Sequence, residues 1–558
     1  MTTLKKLFLA YIFLLFSGYI SLFAQSQTPV NKGKKIEIIH ADFTNADQNE
    51  IPGAIILTGN IEAQHDSLYI YCNKAYLFQA ENYIKLFGNV HLIQNDTLSL
   101  DSKYAEYNGK DGVAFAQGNV VMRSPESSLT SETVYYDKIN GVAYYNNHGT
   151  IINKQNTLKS KVGKYFTKDQ RYEFREKVVL TNPENVIETD HLDFYEVSGH
   201  AYLFGPSTIT GKEDFIYTEN GFYDTQNDVG KLIKNSYILH DEKRIEGDEI
   251  YYDQKKSYSK LVNNVKVTDP KNKMIMTSHF AEVFQDKDSI YITKKPLVKS
   301  LVETDSVYFY AKNIIITGPD KERQISGFKN ARMFRTPDIS AKGDSLHMTQ
   351  KIGLTELFGN PVIFKGESQI TGKLIQILNN PQTEKLDSLK VLTDAFVIER
   401  DTLGTGYNQA KGINLYGKFR DNKISEIDLI QNSEMIYYLY DEDDVLTGID
   451  KGICSKIHLE LEDNKITTAT RFVNPEAMTY PPEEFPESIR KLRGFNWRGD
   501  EKINSAEEIF PPDEIEAEIV IQEKAEVQQE NAEKPIELQK ETKNFKSKGK
   551  KNIIKKVK

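Results

Sequence analysis

A short segment recurs along this chain, and the recurrence restricts the fold more than any other feature. It reads LTGNIEAQ from Leu57, LFGNVHLI from Leu86, FAQGNVVM from Phe115, REKVVLTN from Arg175, LVNNVKVTD from Leu261, GFKNARMF from Gly327 and LFGNPVIF from Leu357. Looser copies begin at Asn147, Gly205 and Ile233. Most copies are followed by a second half: an apolar residue, a cluster of Ser, Thr, Gly or Asp, then an aromatic pair before a polar residue. Tyr107, Tyr136, Tyr195, Tyr223 and Tyr252 hold the matching aromatic place. A period of roughly 30 residues marks a repeat architecture. One such unit cannot bury its own apolar face, so neighbours must stack to make a continuous interior.

Within a unit the apolar residues alternate with period two, which is the spacing of a strand with one face on a core. Val90 and Leu92 point one way and His91 the other. Val120 with Met122, Val178 with Leu180, and Val265 with Val267 repeat the pattern. These eight residues are the candidate inward-facing set. Each GN-V or GN-I tripeptide reads as the start of a strand. Polar turns with proline stand around Pro125, Pro183 and Pro270. No helix-length periodic segment appears. The expectation is an all-β array of short strands joined by tight turns.

Composition agrees with this. The 558 residues include 31 Tyr and 28 Phe against one Trp, which suits half-buried strand faces. A formal net charge of −9 leaves no basic field to recruit nucleic acid. Two cysteines, Cys72 and Cys454, exclude a disulfide scaffold. One bridge between them and two inert half-buried thiols are both open, and the second is preferred. Residues 1–24 read as a secretory signal peptide, with Lys5 and Lys6 before an apolar run from Leu7 to Phe23. The run is also long enough for an uncleaved anchor.

The repeats are clearest over residues 33–380, and residues 381–473 read as divergent terminal β-repeats. From residue 474 the chain is rich in Pro and charge, and residues 474–558 are expected to be largely disordered, with one short helix between Glu514 and Val527. The basic end from Lys543 could touch lipid phosphates, but a solubilising end is preferred.

Together, the N-terminal leader, the GN-V or GN-I segments, the S/T-D-x-x-x-Y second half and the period resemble the OstA/LptA family of lipopolysaccharide-transport proteins, more narrowly its OstA-like Bacteroidetes-type branch. The resemblance covers about Lys35 to Ile377 well. It implies an elongated antiparallel β-jellyroll, V-shaped in section, with an apolar groove that holds lipopolysaccharide acyl chains. It implies a periplasmic place, with association to the outer membrane left open, and partners that are other Lpt-type jellyrolls joined by edge strands, including an outer-membrane assembly barrel. No C-terminal barrel follows the repeats here, which departs from the barrel-bearing members. On that resemblance Val90, Leu92, Val120, Met122, Val178, Leu180, Val265 and Val267 would line the groove. On pattern alone they would form an ordinary closed core.

Nothing in the sequence points to catalysis. The ten histidines are scattered without ligand spacing, so no metal or other cofactor is expected. DEDD from Asp441 lacks the later ligands of a calcium loop and reads as a solvated turn. GTGYNQAKG from Gly404 reads as a loop. The tyrosine series reads as cross-strand packing before ligand stacking. The leading expectation is a non-enzymatic lipopolysaccharide carrier; the alternative is a structural or adhesive β-solenoid that binds protein or glycan partners.

Overall fold

A computed structural model describes residues 34–514, apart from 48, 303, 463 and 464. The leader, the helix expected between Glu514 and Val527, and the basic end lie outside the described residues. The fold is all-β: antiparallel strands follow one another in chain order, and only short 3-10 turns interrupt them. The chain forms two compact units. Unit 1 holds residues 34–294 with 315–323, and unit 2 holds 295–314 with 324–514. The division therefore falls near residue 295 and not near 380, where the recognisable motif fades. Beyond 380 the strands grow longer, as in Lys423–Tyr440, but keep the same antiparallel pairing. The motif fades there without the fold changing.

In the GN-V and GN-I copies the GN pair does not start a strand. In unit 1 it sits in the middle of strands such as Ile55–His65, Tyr83–Gln94 and Val113–Arg123. Gly118 and Asn119 both have positive φ, 88° and 52°, and the register of Val113–Arg123 slips between Gln117 and Val120. Gly88 with Asn89 does the same between Phe87 and Val90. Two consecutive left-handed residues insert a bulge that bends the strand. Glycine adopts this conformation without strain, and Asn is among the few side chains that tolerate it. Glu176 with Lys177, and Asn263 with Asn264, supply the bend where the motif is degenerate.

The bend turns each long strand into two half-strands, one on each of two walls. Inward residues on both sides of the bend are buried: Ile84 and Leu86 before it, Val90 and Leu92 after it. The walls cover each other's apolar faces, and stacking the repeats extends the shared interior. This is the all-β array expected from the repeat, in the jellyroll-type architecture that the resemblance implies.

Unit 2 uses the same device. Lys329 with Asn330, Thr393 with Asp394, and Gln431 with Asn432 have positive φ at register slips in Gln324–Arg335, Leu386–Arg400 and Lys423–Tyr440. Residues 476–514, placed in a largely disordered tail on sequence grounds, are instead ordered on unit 2. Glu476–Tyr480 is a strand paired with Leu446–Glu462. The chain then crosses the outer face of one wall as an irregular strap. Phe485, Leu492, Ile503 and Ile509 are buried in it. Proline and charge prevent a regular element but do not prevent anchoring by single apolar side chains.

Candidate functional site

Whether the interior of each unit can admit a ligand depends on the edge opposite the bends, where the walls meet. In unit 1 that edge is tied by polar side chains from one wall to the other. His65 Nδ1 and the Tyr107 hydroxyl lie 2.6 Å apart. Lys138 Nζ donates to the His65 carbonyl at 3.0 Å. Ser127 bonds the Tyr172 hydroxyl at 2.6 Å and donates to Glu196 at 3.0 Å. Asn156 donates to Thr225 at 3.1 Å, and Asn185 donates to the Tyr223 hydroxyl at 2.6 Å. Tyr252 donates to Asp214, and Arg323 pairs with buried Asp269 at 2.9 Å. The seam thus recurs along the unit, and three of the five tyrosines in the motif series (Tyr107, Tyr223 and Tyr252) supply it.

An acid and a histidine at the seam tune each other. His240 Nδ1 lies 2.6 Å from Asp214 Oδ1. That contact raises the His240 pKa above the ordinary histidine value. Burial opposes ionisation of Asp214, but the hydrogen bonds from His240 and Tyr252 outweigh it and hold the carboxyl below its usual range.

All eight inward candidates lie in unit 1, on one wall, just after the bends of their strands. Val90, Leu92, Val120, Met122, Val178, Leu180, Val265 and Val267 are each at most 5% exposed. The structure brings them into the interior behind the seam.

Unit 2 differs. Between its walls lies a cavity of about 480 Å³ with a largely apolar lining. One wall contributes Ile339, Ile363, Ile370 and Val397; the other contributes Met348, Ile377, Leu389, Phe419 and Leu429. Ile339, Met348, Ile370, Ile377 and Phe419 face inward yet are only half-buried, because they border empty space. Arg335, Asp338, Lys365, Glu367 and Glu399 give it a charged fringe. Arg335 is held by Asp305 at 2.9 Å. Asn379 also lines the space, and its buried Oδ1 has no partner among the described residues. A volume of this size fits a ligand pocket, and a lining of this character favours hydrocarbon over polar solutes.

The sequence reading missed this cavity. Periodicity marks which residues face inward; it carries no information on whether the opposite wall reaches them.

Comparison with known proteins bears on the first unit. Residues 33–190 and 170–235 match the family described as OstA-like protein. Residues 33–235 are thus similar to OstA-like proteins. The OstA-like match ends inside unit 1, so the cavity lies outside it. Among solved structures, the chain is similar to LptH from Pseudomonas aeruginosa, described as the LptA-homologous periplasmic component of the conserved lipopolysaccharide transport device. That similarity is 19% identity over 19% of this chain and 81% of that one, with a TM-score of 0.18. No curated protein matches the chain.

Cys72 and Cys454 are free and buried. Each donates its thiol to the carbonyl two residues on, Lys74 at 3.3 Å and Lys456 at 3.1 Å. DEDD forms a turn in which the Asp441 carboxylate accepts the amides of Asp443 and Val445.

Proposed function

We propose that this protein is a non-enzymatic carrier in lipopolysaccharide transport, resident in the periplasm, and that it holds acyl chains in the cavity of unit 2. The observation that carries the reading is that cavity: apolar, open between two walls and fringed by charge. Each methylene removed from water there gains about 0.8 kcal/mol. A site of many near-equivalent apolar contacts holds a chain without fixing its position, which suits carriage. The family of the first unit supports the same reading. In unit 1 the eight inward residues meet an acyl chain only if the seam opens; at rest we assign the ligand to unit 2.

Partners follow from strand edges. Glu37–His40 and Phe43–Asn45 border unit 1, and Glu476–Tyr480 is a last, exposed strand of unit 2. Such edges accept another β-edge by main-chain hydrogen bonding. We assign them to docking with other jellyroll components of the transport system, including the outer-membrane barrel.

The test is photocrosslinking in cells that make lipopolysaccharide. A photoreactive residue at Ile370 or Ile377 should capture a lipid identifiable by mass, while one at Met122 should capture little. Absence of lipid at Ile370 and Ile377 overturns the reading. Depletion of the protein should leave lipopolysaccharide at the inner membrane; an unchanged outer membrane counts against transport.

A further inference from the structure

The strap crosses the back of the wall whose front lines the cavity. Strand alternation makes this literal: neighbouring residues face opposite ways. Ile363 and Lys365 line the cavity, while Phe364 between them faces Trp497 of the strap, ring centroids 6.4 Å apart. Val397 and Glu399 line it, while Phe396 and Ile398 share a core with Phe485 and Leu492. Ser368 and Ile370 line it, while Gln369 between them is fully buried under the strap.

Two glutamines of this wall fix the strap backbone. Gln369 donates Nε2 to the Asn496 carbonyl at 2.8 Å and accepts the Arg498 amide on Oε1 at 2.7 Å. Gln409 does the same with the Arg490 carbonyl and the Leu492 amide, both at 2.8 Å. Each side chain brackets one strap residue and satisfies two backbone groups of a segment that has no ladder of its own. A buried amide placed this way loses both bonds if the strap lifts, so the attachment is specific. Gln409 also borders the cavity.

A wall with empty space on one side lacks packing there, and collapse into the gap would recover those contacts. Here the opposite face is held by the strap. We propose that residues 481–514 are a clamp that keeps the cavity open, so that seating of the strap and occupation of the cavity favour one another. The inference rests on the lipid reading above. It adds that the Pro-rich segment, not the repeats alone, sets ligand affinity. Coupling of this kind is reciprocal: whatever strap seating does for ligand affinity, the ligand does for strap seating.

Trp497 is the one tryptophan of the chain and lies in the strap. The probe is cis-parinaric acid, a fluorescent fatty acid able to receive energy from tryptophan, titrated into the full chain. Hydrogen exchange of residues 481–514 is followed in parallel. Two variants that leave the cavity lining intact are compared: Gln369→Leu and Leu492→Asp. In the wild type, parinaric acid should slow exchange across the strap. In both variants strap exchange should quicken and the probe should bind about tenfold more weakly. Exchange of Lys423–Tyr440 checks that unit 2 remains folded. A variant with a loosened strap that binds like wild type overturns the clamp, as does a wild-type strap whose exchange ignores bound probe. The latter needs no variant. Failure of the wild type to bind the probe at all overturns the lipid reading, and the coupling with it; binding without coupling overturns the clamp alone.

Discussion

On the strand paired with each bend, one small side chain recurs with one hydrogen bond. Ser102, Ser160, Thr189, Thr218 and Ser278 each donate a hydroxyl to the carbonyl two residues on. Cys72 and Cys454 make the same bond with a thiol. They therefore stand where other repeats carry Ser or Thr. Cys72→Ser should keep the fold and change stability by no more than about 1 kcal/mol, measured by chemical denaturation. Burial pushes the Cys72 thiol up to about 11. A disulfide reagent at neutral pH should therefore leave Cys72 unmodified in the native protein and titrate it once guanidinium unfolds the chain. The sequence displayed the Ser/Thr cluster but not its use, because a bond to the residue's own backbone leaves no trace in periodicity. The seam group Asp214–His240–Tyr252 gives a pH prediction. His240 has a raised pKa, so its contribution is full below the ordinary value near ~6.5 and is lost as pH rises through the raised one. Asp214 has a lowered pKa, so its contribution is full above ~3.9 and is lost as pH falls through the depressed one. Protection of Asp214–Asp224 and Ser236–His240 from hydrogen exchange should be greatest between these limits. His240→Gln should remove the loss on the alkaline side.

The bends were present in the sequence as the most conspicuous letters of the motif, yet their place in the strand was not. Glycine ordinarily punctuates, so GN reads as the start of an element. The two left-handed residues also preserve parity: Leu86 and Val90 lie on the same side of the period-two count. Alternation therefore runs straight through the bend and hides it. A β-branched residue cannot share this conformation cheaply. Asn119→Val, at φ 52°, should destabilise unit 1 by about 1–2 kcal/mol, whereas Asn119→Gly should be near neutral. Denaturant midpoints at unchanged m-value check both. If Asn119→Val is silent, the bend is not held by backbone conformation. The strap was illegible for a different reason. Phe485, Leu492, Trp497, Ile503 and Ile509 are its anchors, but their spacing follows the pockets they meet, not a helix or strand period. Pro481, Pro482 and Pro486 then read as disorder when they only forbid a ladder.

Taken as whole units, the two halves of the molecule solve the same problem with opposite endings. Both bend their strands into facing walls. Unit 1 closes its edge with Tyr, Asn, Ser and Asp side chains, and its interior is filled by its own Val, Leu, Ile and Met. Unit 2 keeps apolar side chains facing a gap and holds one wall from behind. The repeat is legible in both, and the groove residues that the sequence singles out, Val90 to Val267, all lie in unit 1, where the motif is strongest. A ligand that binds one unit raises the stability of that unit by mass action, about 2.7 kcal/mol at a hundredfold excess over Kd. With a single-chain fatty acid at that excess, hydrogen exchange in Leu374–Asn379 and Leu386–Arg400 should slow by about a hundredfold. Exchange in Tyr83–Gln94 and Val113–Arg123 should not change. Slowing in unit 1 alone would mean that the seam opens readily and that the repeats themselves carry the ligand. Slowing in both would mean that ligand binding is shared between the units.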